Sequence, residues 1–183
     1  GPHKLIINRN EQNLGIAGNV MKLFSLSHGK YIVNNCGDDL SVPNRCSKSV
    51  EAIEKAGVES MSFAMTTIDS SGNANGKYGS EVHDVQLYTL DDYLKGRVVS
   101  SGASRIMTRR IVDEFGSLIP GCPTEDSTFT FRAFLLGGIA FSEEPLVLYR
   151  IHGNNISMGA NYLNKINPIP IYEQYQKDLN TAF

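Results

Sequence analysis

Tyr31-Ile-Val-Asn-Asn-Cys-Gly-Asp-Asp39 reads as a strand that runs directly into paired acids. Carboxylates at the carboxyl end of a strand sit where open α/β sheets bind their ligands. Their hard oxygen donors suit Mg²⁺ or Mn²⁺ carrying a phosphate. A second acid pair, Glu125-Asp126, and the segment Tyr149-Arg-Ile-His152 follow far downstream. One pair can serve a metal and diphosphate while the other, held apart, serves as a base. The fold class that follows is α/β.

Working outward from this stretch, Leu5-Ile6-Ile7 within Lys4–Asn8 reads as a short strand buried on both faces. Ile16, Val20, Leu23, Phe24 and Ser27 recur at helical spacing, with Gly29 in the place of a helix-stopping glycine. After the strand Lys30–Asn34, Ser41 can cap and Pro43 can open a second helix whose face is Val50, Ile53 and Ala56 and whose stop is Gly57. Val58–Ile68 is rich in strand formers, and Asp69–Gly76 reads as a turn or exposed loop.

Residues 77–100 carry no regular signal beyond a short helix at Leu90–Leu94. Ser104–Met107 reads as a strand, Arg109–Phe115 as a helix closed by Gly116, and Glu125–Leu136 as a helix ended by Gly137-Gly138. Pro145–Arg150 is the last strand, and the tail from Pro168 carries a helical pattern.

At 183 residues with 41% hydrophobic and 20% charged content, the chain has the make-up of one ordinary globular unit able to bury a core without staples. A formal net charge of -2 lacks the basic excess of a nucleic-acid binder. The three cysteines, Cys36, Cys46 and Cys122, form no CxxC pair, which argues against structural zinc and fits free thiols in a reducing cytoplasm. The apolar run Ala133–Phe141 is interrupted by Gly137-Gly138 and is too short to cross a bilayer.

Taken singly, each motif has an ordinary reading. Asp38-Asp39 can be a strand-ending turn with one capping Asp, and Glu125-Asp126 the usual acidic first turn of a helix. Arg109-Arg110 reads as a solvated face, and a lone His152 is more often structural than a ligand. The order of the motifs changes the balance. Asn13-x-Gly15-x-x-x-Asn19, Ser27-x-Gly29-Lys-Tyr31-Ile32, Gly37-Asp38-Asp39, Ser101-Gly102-Ala103, Glu125-Asp126, Arg132, Gly138, Glu144-Pro-Leu146 and Tyr149-Arg-x-His152 with Ser157 follow one another in a known sequence. From Lys4 to Ser157 the chain resembles the A-type nucleotide-sugar glycosyltransferases of glycosyltransferase family 2.

The resemblance implies a Rossmann-like nucleotide-diphospho-sugar transferase fold, a mainly parallel mixed sheet flanked by helices. It divides the chain into a partial catalytic domain over 4–157 and a helical appendage over 158–183. It implies Mn²⁺ or Mg²⁺ held by Asp39, with Asp38 and His152 assisting. Asp38, Asn13, Gly15 and Arg150 would then contact the donor, and Asp126 would be the general base of an inverting transfer. Arg150 or Arg132 would contact a phosphate or anchor the loop that carries the base.

The implied partners are a UDP- or dTDP-sugar donor and a sugar or lipid-linked glycan acceptor. The implied setting is surface polysaccharide synthesis at the inner face of the cell membrane, with peripheral association there. Two departures stand out. Cys36 occupies a place where relatives often carry an acid. The family's first strand, loop and helix, which hold the nucleotide base, have no counterpart before Lys4, so the expectation is an N-terminally truncated, inactive fragment that self-associates through a bare Lys4–Asn8 edge. The rival readings are a non-catalytic binding or interaction fragment and a metal-dependent nucleotidyltransferase.

Overall fold

The computed structural model describes residues 3–79, 84–153, 155 and 167–183. The elements are α1 (Gly15–Leu26), β1 (Tyr31–Val33), β2 (Leu40–Ser41), α2 (Arg45–Ala56), β3 (Ser60–Ile68), β4 (Ala74–Tyr78), β5 (Gln86–Tyr88), α3 (Leu90–Leu94), β6 (Ile106–Thr108), α4 (Arg110–Asp113), α5 (Glu125–Leu136), β7 (Ile139–Arg150) and α6 (Ile169–Ala182). A seven-stranded sheet runs β1-β6-β3-β7-β2, with β4 added beside β3 and β5 beside β7.

The α/β class holds, and the sheet is mixed with helices against it. It is not mainly parallel. Among the described residues the parallel pairing is β3 with β7, whereas β1–β6, β3–β6, β3–β4, β2–β7 and β5–β7 are antiparallel. The cause is local: β3 folds back through a tight turn into β4, and β6 enters between β1 and β3 in the opposite sense. Strands β1, β3 and β7 therefore point the same way, and their carboxyl ends share one edge of the molecule.

Strand β3 is central, with every residue buried except the half-buried Thr66, as a strand covered on both faces requires. Its period-two alternation divides the core. Met61 and Phe63 face α2 through Ile53, while Ala64 faces the larger cluster built from α1, α4 and α5 with Phe24, Ile111 and Phe129. Helix α2 stops where the sequence places its stop: Gly57 takes a left-handed φ of 66° and donates its N–H to Ile53 O, which is the glycine termination of many helices.

Several local expectations change. Lys4–Asn8 forms no strand, and Leu5 and Ile7 are 83% and 85% exposed. Three apolar residues in a row make no strand without a neighbour to share their backbone hydrogen bonds. Ser41 is drawn into β2, where Leu40 and Ser41 pair with Leu148 and Val147, so α2 begins at Arg45 behind Asn44. Helix α1 ends at Leu26, capped by Ser27, rather than at Gly29. The segment read as loop after Asp69 is a hairpin: Asp69 Oδ1 accepts the N–H groups of Ser71 and Asn73 at 2.8 and 2.9 Å, and β4 then returns along β3.

The C-terminal helix docks firmly. Arg132 of α5 is 0% exposed and grips Asp178 of α6 through two bonds of 2.8 and 3.1 Å, while Gln174 Oε1 accepts the N–H of Ile119 at 2.6 Å. Arg132 Nη1 also donates to Gly116 O at 2.9 Å. Its guanidinium is thus spent inside the core, which corrects the reading of Arg132 as a phosphate contact. Ser157 and the boundary between 157 and 158 lie outside the described residues. No helix among the described residues is long and apolar enough to cross a membrane.

Candidate active site

The shared carboxyl edge of β1, β3 and β7 gathers the first acid pair. In the parallel register Ile68 of β3 stands beside Arg150 of β7, so both strands end together. Arg150 staples the edge: its N–H donates to Asp39 Oδ1 at 2.9 Å, its Nε to Asp38 O at 2.9 Å, and its Nη1 to Asp69 O and Ser70 O at 2.9 and 3.1 Å. Two residues on, His152 Nε2 lies 3.1 Å from Asp38 Oδ2. Asp38, Asp39, Arg150 and His152 are therefore one cluster, although up to 114 positions separate them in the chain.

Within the cluster the two acids are placed differently. Asp38 keeps 43% of its side chain exposed beside His152 at 30%. Asp39 is 6% exposed, its Oδ1 taken by Arg150 and its Oδ2 buried without a hydrogen-bond partner. Burial, aided by the neighbouring Asp38 charge and opposed by the Arg150 N–H, holds the Asp39 carboxyl above the usual carboxylate range. Asp38 and His152 form the accessible pair of the expected metal set, while Asp39 braces the turn from inside with Oδ1 and keeps Oδ2 without a hydrogen-bond partner. Arg150 is likewise a brace, with its guanidinium directed at backbone carbonyls.

No group of three or more His, Cys, Asp or Glu side chains capable of caging a metal occurs among the described residues. Two side chains suffice for Mg²⁺ or Mn²⁺, which characteristically bind through one or two protein ligands and complete their shell with substrate phosphates and water. Asp38 and His152 fit that requirement.

The second acid pair reaches the same edge from the other side. The lead into β6 lies against the end of β1, with Asn34 N–H donating to Arg105 O at 2.9 Å. Buried Arg45 fastens the two segments, donating to Asn34 O, to Asn35 Oδ1 at 2.7 Å and to Ala103 O at 2.9 Å. Asp126, in the first turn of α5, rests on Gly102 so closely that a Cβ there would lie 2.0 Å from Asp126 Oδ1. Asp126 Oδ1 is buried, yet the side chain is 48% exposed, so the remainder of the carboxylate faces outward.

Glu125 is pushed up to about 7 by burial and then by the Asp126 charge, with Arg105 opposing. Cys36 is pushed up to about 11 by burial and then by the charges of Asp39, Asp126, Asp38 and Glu125. Cys36 is thus within electrostatic reach of both acid pairs.

A cavity of about 320 Å³ opens beside Asp126, bounded by Tyr93, Val98, Ser100, Arg105 and Thr130. Asn13 and Gly15 are not part of this edge. Asn13 Oδ1 accepts the Gly15 N–H at 2.8 Å, and Gly15 lines a separate apolar cavity of about 540 Å³ with residues 117–123. The sequence reading also missed Arg45 and Arg105, because an arginine next to polar residues resembles a surface residue until its burial is known.

This chain is an α/β fold with acid pairs gathered at the carboxyl edge of its sheet. No family model matches it. It is 26% identical over 178 residues to an uncharacterized glycosyltransferase of Methanocaldococcus jannaschii, covering 94% of this chain and 58% of that protein. Its fold matches that of S. aureus TarS residues 1-349 in complex with UDP-GlcNAc, with a TM-score of 0.64 at 14% identity over 92% of this chain and 47% of that one. The same TarS segment without that ligand gives a TM-score of 0.60 over 91% and 44%. The chain spans about half the length of the relatives it matches. These findings support the resemblance to a glycosyltransferase and show an α/β fold, a mixed sheet flanked by helices, like that of the TarS segment.

Proposed function

We propose that this chain carries the catalytic edge of an inverting, metal-dependent glycosyltransferase that moves a sugar from a nucleoside-diphosphate donor to a hydroxyl acceptor. The observation that carries the reading is the approach of two separately braced acids, Asp38 with His152 and Asp126 over Gly102, to one edge of the sheet. A UDP-sugar donor is favoured because the matched TarS structure holds UDP-GlcNAc.

Asp38 and His152 would hold Mn²⁺ or Mg²⁺, and the bound ion would neutralise charge developing on the diphosphate leaving group. Asp39 and Arg150 keep the Asp38 turn in place. The exposed part of the Asp126 carboxylate takes the proton of an acceptor hydroxyl entering the cavity bounded by Tyr93, Ser100 and Thr130. That hydroxyl attacks the anomeric carbon from the face opposite the leaving diphosphate, and the configuration inverts. The acceptor is proposed to be a sugar or lipid-linked glycan, the setting to be surface polysaccharide synthesis, and the location the cytoplasmic face of the membrane.

The test is transfer from UDP-sugars by the full-length protein that carries this chain, with Asp38→Asn and Asp126→Asn as variants. Asp38→Asn is expected to lose Mn²⁺-dependent UDP binding in calorimetry. Asp126→Asn is expected to keep that binding and lose kcat by roughly 10²-fold, the usual contribution of a general base. Release of pyrophosphate in place of nucleoside diphosphate would instead assign a nucleotidyltransferase. Unchanged UDP affinity in Asp38→Asn would remove the metal assignment.

A further inference from the structure

Arg105 is the charged side chain pressed against Asp126 from behind, and it is 1% exposed. Its Nη1 donates to the Asp126 carbonyl at 3.0 Å and stands 3.6 Å from Asp126 Oδ1. Its Nη2 donates to Ser100 Oγ and Thr130 Oγ1, both at 2.9 Å. Thr130 Oγ1 donates in turn to the Asp126 carbonyl at 2.8 Å. The oxygens around this guanidinium thus all belong to Asp126 or to the walls of the cavity beside it. Two polar atoms there are buried without a hydrogen-bond partner, Arg105 Nε and Asp126 Oδ1.

Burying a guanidinium is costly unless charge and hydrogen bonds compensate it. A mere tether between the lead into β6 and helix α5 could be made by neutral side chains, as Ser100 Oγ and Thr130 Oγ1 already do at 3.4 Å. What a cation adds is a field at the carboxylate. We infer that Arg105 is a positioning residue for Asp126: it fixes the first turn of α5 and, with Gly102 on the other side, holds the carboxylate so that its open oxygen faces the acceptor cavity. The inference rests on the reading of Asp126 as the base.

Several groups face Asp126. Glu125 lies on its own helix, Arg105 on the lead into β6, Cys36 at the end of β1 and Tyr78 on β4. Arg105 is the positive one among them. Its removal therefore leaves Glu125 without that opposing charge, and the proton affinity of Glu125 should rise.

The experiment compares Arg105→Gln and Arg105→Lys with the wild-type full-length protein. Transfer kcat and donor KM are followed over roughly pH 5–9, with carboxyl NMR titration of Glu125 and thermal melting alongside. For Arg105→Gln, kcat is expected to fall roughly 10²-fold with donor KM within about twofold, as for a base displaced on the ångström scale. The acid limb of the rate profile should move up by about one pH unit, as loss of an adjacent opposite charge requires. Glu125 should titrate above its wild-type position. Arg105→Lys keeps the charge and loses the fork, so its acid limb and Glu125 titration should stay in place while kcat recovers part of the loss.

Unchanged kcat and acid limb in Arg105→Gln, or a fall in kcat that only follows the fraction unfolded, would overturn the inference. If Arg105→Gln does not fold, Arg105→Lys decides it, and wild-type kcat there overturns it. If the wild-type protein transfers no sugar, the reading of Asp126 as base fails separately. The Glu125 titration then still tests the charge contact, and an unmoved titration in folded Arg105→Gln overturns it.

Discussion

Gly102→Ala should separate catalysis from folding more sharply than replacing the base itself. A Cβ built on Gly102 lies 2.0 Å from Asp126 Oδ1 and 2.4 Å from both Asp126 Cγ and Oδ2. A carbon and an oxygen in ordinary contact stand roughly 3.3–3.6 Å apart. The carboxylate must therefore retreat by about 1.3 Å or more, which is the contact distance less the present one. The obstructing atoms are the end of a half-exposed side chain, so it can swing outward at small cost to the core. The expected change in stability is about 1 kcal/mol or less, in the range of substitutions that spare packing. A displacement of that size at a reacting group costs on the order of 10²-fold in rate. Transfer kinetics and thermal melting on the same preparation read both quantities. A Gly102→Ala protein with wild-type kcat, or one that melts far below wild type with kcat per folded molecule unchanged, would refute the view that contact with Gly102 sets the carboxylate.

Two further predictions concern buried charge. Breaking the fully buried Arg132–Asp178 pair with Asp178→Asn should destabilise the fold by about 3–5 kcal/mol, because a guanidinium is left buried and unpaired. The double change Arg132→Met with Asp178→Leu should recover most of this in denaturant melts, and a double variant as weak as the single one would count against the explanation. Glu125 is held at about 7 against an ordinary 4.5, so the folded protein binds its proton more tightly than the unfolded chain does. Its contribution to stability is therefore present below the unfolded value and lost as pH rises through about 7. Glu125→Gln should flatten that decline in melts taken on either side of neutrality, and an unaltered slope would place the group in an ordinary environment.

The parts legible in the sequence are those whose signal is local. Gly57 stops α2 because only a left-handed backbone closes that helix, and Glu125–Leu136 is a helix bounded as its acidic first turn and trailing glycines predict. The acid pairs were visible for the same reason, since each is a pair of neighbouring carboxylates in the sequence itself. The misread parts depend on partners far away in the chain. Ala74–Tyr78 carries Asn75-Gly76, a pair typical of turns, and becomes a strand because β3 offers it an edge. Arg132 looks like a phosphate ligand until Asp178, 46 residues on, claims it. Asp38 and Asp39 are adjacent and chemically identical, and only the Arg150 N–H, 111 residues away, turns one inward.

The ladder between β3 and β7 is interrupted: Phe63 faces Ser142, Met65 already faces Val147, and β7 spends three more residues than β3 in between. Four pairs remain beyond the detour, from Met65–Val147 to Ile68–Arg150. With that slack upstream, the register of the final stretch of β7 is set by its own four pairs and by what its end residues bind. A one-residue slip would turn every side chain to the opposite face. Only in the native alignment does the Arg150 guanidinium meet the carbonyls of Asp38, Asp69 and Ser70 together. The staple that shapes the acidic edge therefore also favours the native register of the last strand.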